Sequence, residues 1–395
     1  MTFLILFFMS ILWGINSDIC DGLYEGTPIN DSATIPPLNV YQEALQTLDI
    51  KAVFDDLYEL LTNSQECWPA DTFGDETNYG GFFVRLTWHC AGTYRETDGK
   101  GGCAGGRQRF TPESTWDDNT NLDHARALLA PIKAKYGDAL SWGDLFIFAG
   151  TASISYMGGP ITKVCGGRID DFDGSKSVPL NSLEDCGTQG NCSEPIGSST
   201  VGLIYVNPEG VDGEPIPSKS AKRIRKIFGR MGMNDSETVA LIGGGHAFGK
   251  SHGACPLGAG PSPIEDPLNP WPGLCGNGKG VNTYTSGLEG QWTTNPFKWD
   301  NEYFTQLIDD DYQLIKGPGD KWQWKNTRNG NMMFTTDIAL MNDGTYYGLV
   351  KDYASSLDTL NAAFGPAWKK LTESGSGWVD TNYRVCVNGT DLPDP

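Results

Sequence analysis

The chain of 395 residues has only four histidines, His89, His124, His246 and His252, and its ten cysteines form no C-x-x-C pair. A compact Cys/His zinc site is thereby set aside, because such a site draws its ligands from short, regular spacings. Basic residues are also scarce. Against 49 Asp and Glu stand 29 Lys and Arg, and the resulting formal charge of −20 repels phosphate backbones and anionic lipid, which removes nucleic acid as a partner. No fixed-period repeat occurs, so solenoids and propellers are not supported. Beyond the extreme N-terminus no apolar run approaches the roughly 20 residues that a membrane-spanning helix needs.

What is present begins with a short apolar stretch, Met1 to Trp13, followed by Gly14-Ile-Asn-Ser17 and then acidic, Cys-containing sequence. This is the layout of a secretory signal peptide over residues 1–17, although the basic n-region is missing and Lys51 is the first Lys or Arg. All ten cysteines follow the expected cleavage point, an even number that argues for disulfides in a secreted protein. Sequons at Asn30, Asn191, Asn234 and Asn388 fit the same compartment.

Residues 18–39 read as an irregular lead-in, with Pro28 and Pro36-Pro37 blocking regular structure. Helical periodicity then runs from Val40 to Leu61, and Gly80-Gly81 precede a second predicted helix from Phe82 to His89. Further helices are predicted at Asn121–Tyr136, Ser141–Met157, Ser218–Phe228, Asp235–Ile242, around Trp299 to Ile315, and from Tyr353 to Leu371. Residues 158–217 and 258–284 are rich in Gly and Pro and read as long loops. The expected fold is mainly α, a single two-lobed domain over residues 40–375 with little β, ending in a tail over 376–395.

Arg85, Trp88 and His89 crowd one face of the second helix. A buried Arg beside a His keeps the imidazole neutral, leaving a general base and a cation that stabilises departing negative charge, which is the apparatus for splitting a peroxide. On spacing alone, a structural His and Arg satisfied by the backbone is the commoner outcome. His246 ends another predicted helix inside Gly243-Gly-Gly-His-Ala-Phe-Gly249, where small neighbours leave room for a large flat group such as a porphyrin. An axial His normally passes its other N–H to an acceptor, and sequence does not say which carboxylate serves.

Longer motifs narrow the reading. Phe83-Val-Arg85-Leu-Thr-Trp88-His89-Cys-Ala-Gly-Thr-Tyr94-Arg95, Gly105-Gly-Arg-Gln-Arg109-Phe110 and Trp116-Asp-Asp118-Asn119 resemble the distal half of class I haem peroxidases, in particular the first domain of catalase-peroxidases. Gly202-Leu-Ile-Tyr205, Arg230-Met231-Gly-Met-Asn-Asp235, Gly244-Gly-His246-Ala-Phe-Gly-Lys-Ser-His-Gly253, Thr294-Asn-Pro-Phe-Lys-Trp299 and Phe334-Thr-Thr-Asp337 resemble the proximal half, in order. The resemblance covers residues from about 40 to 372.

It implies a haem b between two helical lobes, with His246 as axial ligand. Asp337 would accept the second ring proton of His246 and the indole N–H of Trp299. On the other haem face His89 would move the peroxide proton, Arg85 would stabilise the charge as the O–O bond breaks, Asn119 would orient His89, and Trp88 would pack over the ring. Asp118 matches an acidic residue of the access channel. The implied substrates are hydrogen peroxide and a small one-electron donor, and the protein is taken as a monomer. Trp88, Tyr205 and Met231 match three positions that the family joins into a covalent adduct tied to catalase activity. The competing expectation is an extracellular haem-binding or sensing module without turnover.

Three departures stand out. The usual family member carries a second, haem-less copy of the domain, and one copy is found here. The sequence after Trp368-Lys-Lys-Leu371 does not match the family's continuation, so no residue is assigned to the mobile Arg linked there to catalase turnover. Cys90, directly after His89, stands where the family has a small residue, and a disulfide there would lie beside the haem pocket.

Overall fold

The computed structural model describes residues 35–177, 207–267, 269–276, 283–284, 286–309, 311–378 and 383–395. The expected signal peptide and Tyr205 lie outside the described residues. Within them the chain is mainly helical, as its periodicity predicts.

The first helical stretch divides into α1 (Leu38–Leu45) and α2 (Ile50–Thr62). One continuous helix from Val40 to Leu61 does not form because Asp49 accepts hydrogen bonds from the N–H groups of Lys51 and Ala52 and so starts a new helix. A small hairpin, β1 (Asp71–Phe73) with β2 (Glu76–Asn78), leads into α3 (Gly80–Ala91), the helix that carries Arg85 and His89. α4 (Leu122–Tyr136) and α5 (Trp142–Tyr156) follow, the latter capped by the Ser141 side chain on the Asp144 N–H. α5 is buried along almost its whole length and packs closely on α3. At the crossing a Cβ on Gly150 would lie 2.2 Å from Thr87 Oγ1, which instead accepts the Gly150 N–H and donates to the Phe146 carbonyl.

After β3 (Lys163–Gly166) the second half contains α6 (Pro217–Arg230) and α7 (Asp235–His246). α7 opens on a reciprocal cap between Asn234 and Glu237 and, contrary to the expected end at Ile242, continues through Gly243-Gly-Gly to His246. Helical glycine costs about 1 kcal/mol relative to Ala. Packing explains two of these glycines: a Cβ at Gly243 would lie 2.1 Å from the Phe304 ring, and one at Gly244 would lie 2.3 Å from Phe364. Only Gly245 has open space in front of it and lines the cavity, so the expectation that the whole run clears room for a flat group holds for one glycine of three.

The pair β4 (Lys250–Ser251) and β5 (Gly290–Gln291) precedes α8 (Glu302–Ile308). Sequence led to helix as far as Ile315, but Tyr312 begins β6 (Tyr312–Lys316), which pairs with β7 (Trp322–Asn326) and through it with β8 (Met332–Met333). The Gly317-Pro-Gly-Asp320 turn reverses the chain, with Asp320 at φ +56°. The short α9 (Thr335–Ile338) presents Asp337. The last helical stretch splits at Ser356, whose side chain caps Thr359, into α10 (Gly344–Ser355) and α11 (Leu357–Glu373).

The C-terminal residues are stitched into the domain instead of trailing from it. β9 (Val385–Asn388) pairs antiparallel with β3, placing Cys386 opposite Cys165. One continuous hydrophobic core runs through both halves, and the Trp368 indole on α11 donates to Thr151 Oγ1 on α5 across them at 3.0 Å. None of the described helices is long and apolar enough to cross a membrane.

Candidate active site

α3 and α7 face each other across a cavity that holds about 1200 Å³ of space free of protein atoms, its open mouth included. Arg85, Trp88 and His89 line one wall, while Gly245, His246 and Trp292 line the other. Apolar side chains such as Val84, Phe228, Leu241 and Phe334 fill the perimeter.

On the α3 wall, His89 is 1% exposed and its Nδ1 lies 2.9 Å from Asn119 Oδ1. The amide orientation is settled by its other end, because Asn119 Nδ2 donates to the Glu113 carbonyl at 2.7 Å. His89 Nδ1 is therefore the protonated nitrogen, and Nε2 carries the lone pair. Burial, and then the charge of Arg85, hold the imidazole well below the usual histidine range, with the Asn119 bond opposing them. The result is a neutral base. Arg85 is itself positioned by backbone: its guanidinium donates to the carbonyls of Asp118 at 2.7 Å and Thr120 at 2.9 Å. Asp118 thus meets Arg85 through its main chain, and its half-buried residue does not line the cavity. Trp88 stacks on Phe228 of α6, ring centroids 5.3 Å apart.

On the α7 wall, His246 Nδ1 donates to Asp337 Oδ1 at 2.8 Å, leaving Nε2 as the other ring nitrogen of a side chain that is 29% exposed and lines the cavity. Asp337 is fully buried. It does not accept from Trp299, as the resemblance implied. The indole of Trp299 donates instead to Asn361 Oδ1 at 2.7 Å and its rings pack on Phe364 at 4.6 Å, on the far side of the α7 glycines. The partner of Asp337 is Trp292, which donates to Oδ2 at 3.0 Å and stacks on the His246 ring at 4.3 Å. Sequence reasoning missed Trp292 because the two tryptophans share one Gly- and Thr-rich segment. The signal that separates them is the pairing of β5 with β4, which returns the chain beside His246 just before Trp292. Tyr303 was missed as well; its hydroxyl donates to Asp337 Oδ1 at 2.8 Å.

Met231 follows directly on α6, three residues beyond Phe228, and is 1% exposed. Cys90 and Cys103 have their sulfur atoms 2.00 Å apart, which sets the residue after His89 against the Gly-rich segment 99–106. Cys165 with Cys386 and Cys255 with Cys275 are likewise at bonding distance.

The donor set fits a flat iron-bearing macrocycle. A histidine with one nitrogen committed to a buried carboxylate and the other turned to an apolar cavity suits an axial ligand. Lys250, Ser251 and Ser286 give the cavity a polar stretch of wall suited to carboxylate groups. Among the described residues no His/Cys/Asp/Glu cluster could hold a bare metal ion.

Residues 68–356 match the family model described as peroxidase. The chain is 44% identical to a catalase-peroxidase of Salinibacter ruber over 364 residues, covering 85% of this chain and 49% of that protein. It is 45% identical to a catalase-peroxidase 2 of Shewanella sp. strain MR-4, covering 89% and 50%, and 44% identical to an Escherichia coli catalase-peroxidase, covering 85% and 48%. The chain thus spans about half the length of these relatives. With that match over most of its length, the chain belongs to the peroxidase family and, within it, lies close to the catalase-peroxidases.

Proposed function

We propose that this chain is a secreted haem b peroxidase that reduces hydrogen peroxide to water with small one-electron donors, and that Trp88, Tyr205 and Met231 give it a catalase route through a covalent adduct. One observation carries the reading: a neutral His89 beside Arg85 faces, across one cavity, a His246 backed by the Asp337 carboxylate.

When bound, haem supplies the iron that exchanges electrons with peroxide and donor. His246 Nε2 would hold it, Asp337 would keep the His246 ring oriented and electron-rich, and Trp292 would lie flat against that ring. His89 Nε2 takes a proton from hydrogen peroxide and delivers it to the departing oxygen, which leaves as water. Arg85, held by two carbonyls, places positive charge where negative charge develops on that oxygen. Asn119 keeps His89 in the tautomer that both proton steps need. Phe228 fixes the plane of Trp88.

Secretion draws its support from the apolar N-terminus and from the paired sulfurs of Cys90 with Cys103, Cys165 with Cys386 and Cys255 with Cys275, which are read here as disulfides of an oxidising compartment. The experiment is steady-state turnover of the haem-loaded protein with hydrogen peroxide and a phenolic donor, run beside oxygen evolution without donor. Donor-dependent turnover supports the peroxidase reading. Oxygen evolution that collapses in Tyr205→Phe supports the adduct. Haem binding without either activity would point to the sensing module.

A further inference from the structure

Asp337 is a fully buried carboxylate with four donors arranged around two oxygens. Oδ2 accepts from Trp292 Nε1 at 3.0 Å and from the Phe334 N–H at 2.7 Å. Oδ1 accepts from His246 Nδ1 and from the Tyr303 hydroxyl, both at 2.8 Å. Tyr303 comes from α8, a different element from any that supplies the other donors, and it is fully buried with its ring steeply inclined to that of His246, centroids 6.1 Å apart.

Sharing one oxygen has a chemical consequence. A carboxylate pulls the Nδ1 proton of a histidine toward itself and so makes the imidazole more anionic and a stronger donor through Nε2. Every further hydrogen bond to the carboxylate stabilises its negative charge and lowers its pull on that proton. A donor on the same oxygen competes most directly. Tyr303 is the donor of this pair, because the Asp337 carboxylate has no proton to give and the phenol oxygen lies 2.8 Å from it.

We propose that Tyr303 is a positioning residue which tempers the Asp337 carboxylate at Oδ1 and thereby sets the donor strength of His246 toward the haem iron. The proposal rests on the haem reading above. It gives this chain a way to hold the iron at a more positive reduction potential than His246, Asp337 and Trp292 alone would fix.

Tyr303→Phe removes the hydroxyl and leaves the ring packing unchanged. The test is the ferric/ferrous midpoint potential of the haem-loaded protein together with the iron–histidine stretching frequency of its ferrous form. In the variant the potential is expected to move to more negative values and the stretching frequency to rise, since the His246 ring becomes more anionic. Replacing Tyr303 with 3-fluorotyrosine, a stronger donor of the same shape, is expected to shift both quantities the opposite way, and this arm stands if the Phe variant fails to fold. Haem bound through His246 with both quantities unmoved by either substitution overturns the Tyr303 proposal alone. A wild-type protein that takes up no histidine-ligated haem overturns the haem reading and this proposal with it.

Discussion

His89 and His246 face one cavity from opposite walls, and each has its Nδ1 fixed by a side-chain oxygen: the neutral amide of Asn119 at 2.9 Å in one case, the carboxylate of Asp337 at 2.8 Å in the other. The contrast divides their roles. Under the proposed function, a neutral acceptor with Arg85 nearby would leave His89 a weak base that can both take and return a proton, whereas an anionic acceptor would make His246 a strong ligand.

His89→Leu is expected to lower the rate constant for reaction with hydrogen peroxide by about 10²- to 10⁴-fold, the usual weight of a general base. Asn119→Leu, which frees the ring to rotate, is expected to cost about 10- to 100-fold. Because the folded environment holds His89 well below 6.5, the wild-type rate should stay level as pH falls from 7 past 6.5 and decline only at more acidic pH. Stopped-flow rates across that range check it, and a half-maximal rate at 6.5 would show an unperturbed histidine.

Trp292→Phe and Trp299→Phe separate the observed arrangement from the one that the resemblance implied. The first removes a donor to Asp337 and is expected to shift the iron–histidine stretch and slow donor oxidation. The second breaks only the Asn361 bond and core packing, so it is expected to leave that frequency in place and cost about 1–3 kcal/mol of stability, read by chemical denaturation.

The two tryptophans also mark how far the sequence was legible. Helices with a clear period and a polar cap, such as α5 behind Ser141 and α7 behind Asn234, lie within a few residues of their expected limits. Arg85 and His89 meet because four residues in a helix bring them to one face, which is a local rule. His246 and Asp337 are 91 residues apart, and no local rule connects them; only the family resemblance paired them. Trp292 and Tyr303 depend on how a two-residue ladder and the short α8 fold back onto α9, and neither has a periodicity to read. The β6–β8 sheet escaped notice because helix-compatible residues run on from α8 into it, and the pairing with Trp322 to Asn326 is set by the turn at Gly317.

A second histidine supplies a pH dependence of stability. His252 lies 3.4 Å from Asp71 and 3.6 Å from Glu289, with Lys250 also 3.4 Å from Asp71. Burial opposes its charge, but the bonds and charges of Asp71 and Glu289 outweigh burial and push its pKa up from 6.5 to about 9. A folded-state pKa above the unfolded value means that this stabilisation is complete below pH 6.5 and is lost as pH rises through 9. His252→Asn is therefore expected to lower Tm most at pH 6 and least above pH 9, as followed by thermal denaturation at a series of pH values.

Read as a disulfide, Cys90 and Cys103, separated by 13 in sequence, would close a loop beside His89. Replacing both with Ser is expected to cost about 3 kcal/mol on the chain-entropy account. It should also slow the peroxide reaction, because α3 ends at Ala91 and the crosslink holds its last turn, where His89 sits. Thiol titration of the unreduced, denatured wild-type protein is expected to find no accessible thiol at these positions, and a free thiol at either would remove the basis for this expectation.

The most direct test of the central claim is a comparison by stopped-flow absorbance of wild type, His246→Ala and His89→Leu, each supplied with haem and mixed with hydrogen peroxide. The account predicts a histidine-ligated spectrum in wild type that changes rapidly on mixing, the same initial spectrum with a change about 10²- to 10⁴-fold slower in His89→Leu, and loss of the histidine-ligated spectrum in His246→Ala. A His246→Ala protein with an unaltered spectrum, or a His89→Leu protein that reacts at the wild-type rate, would contradict it.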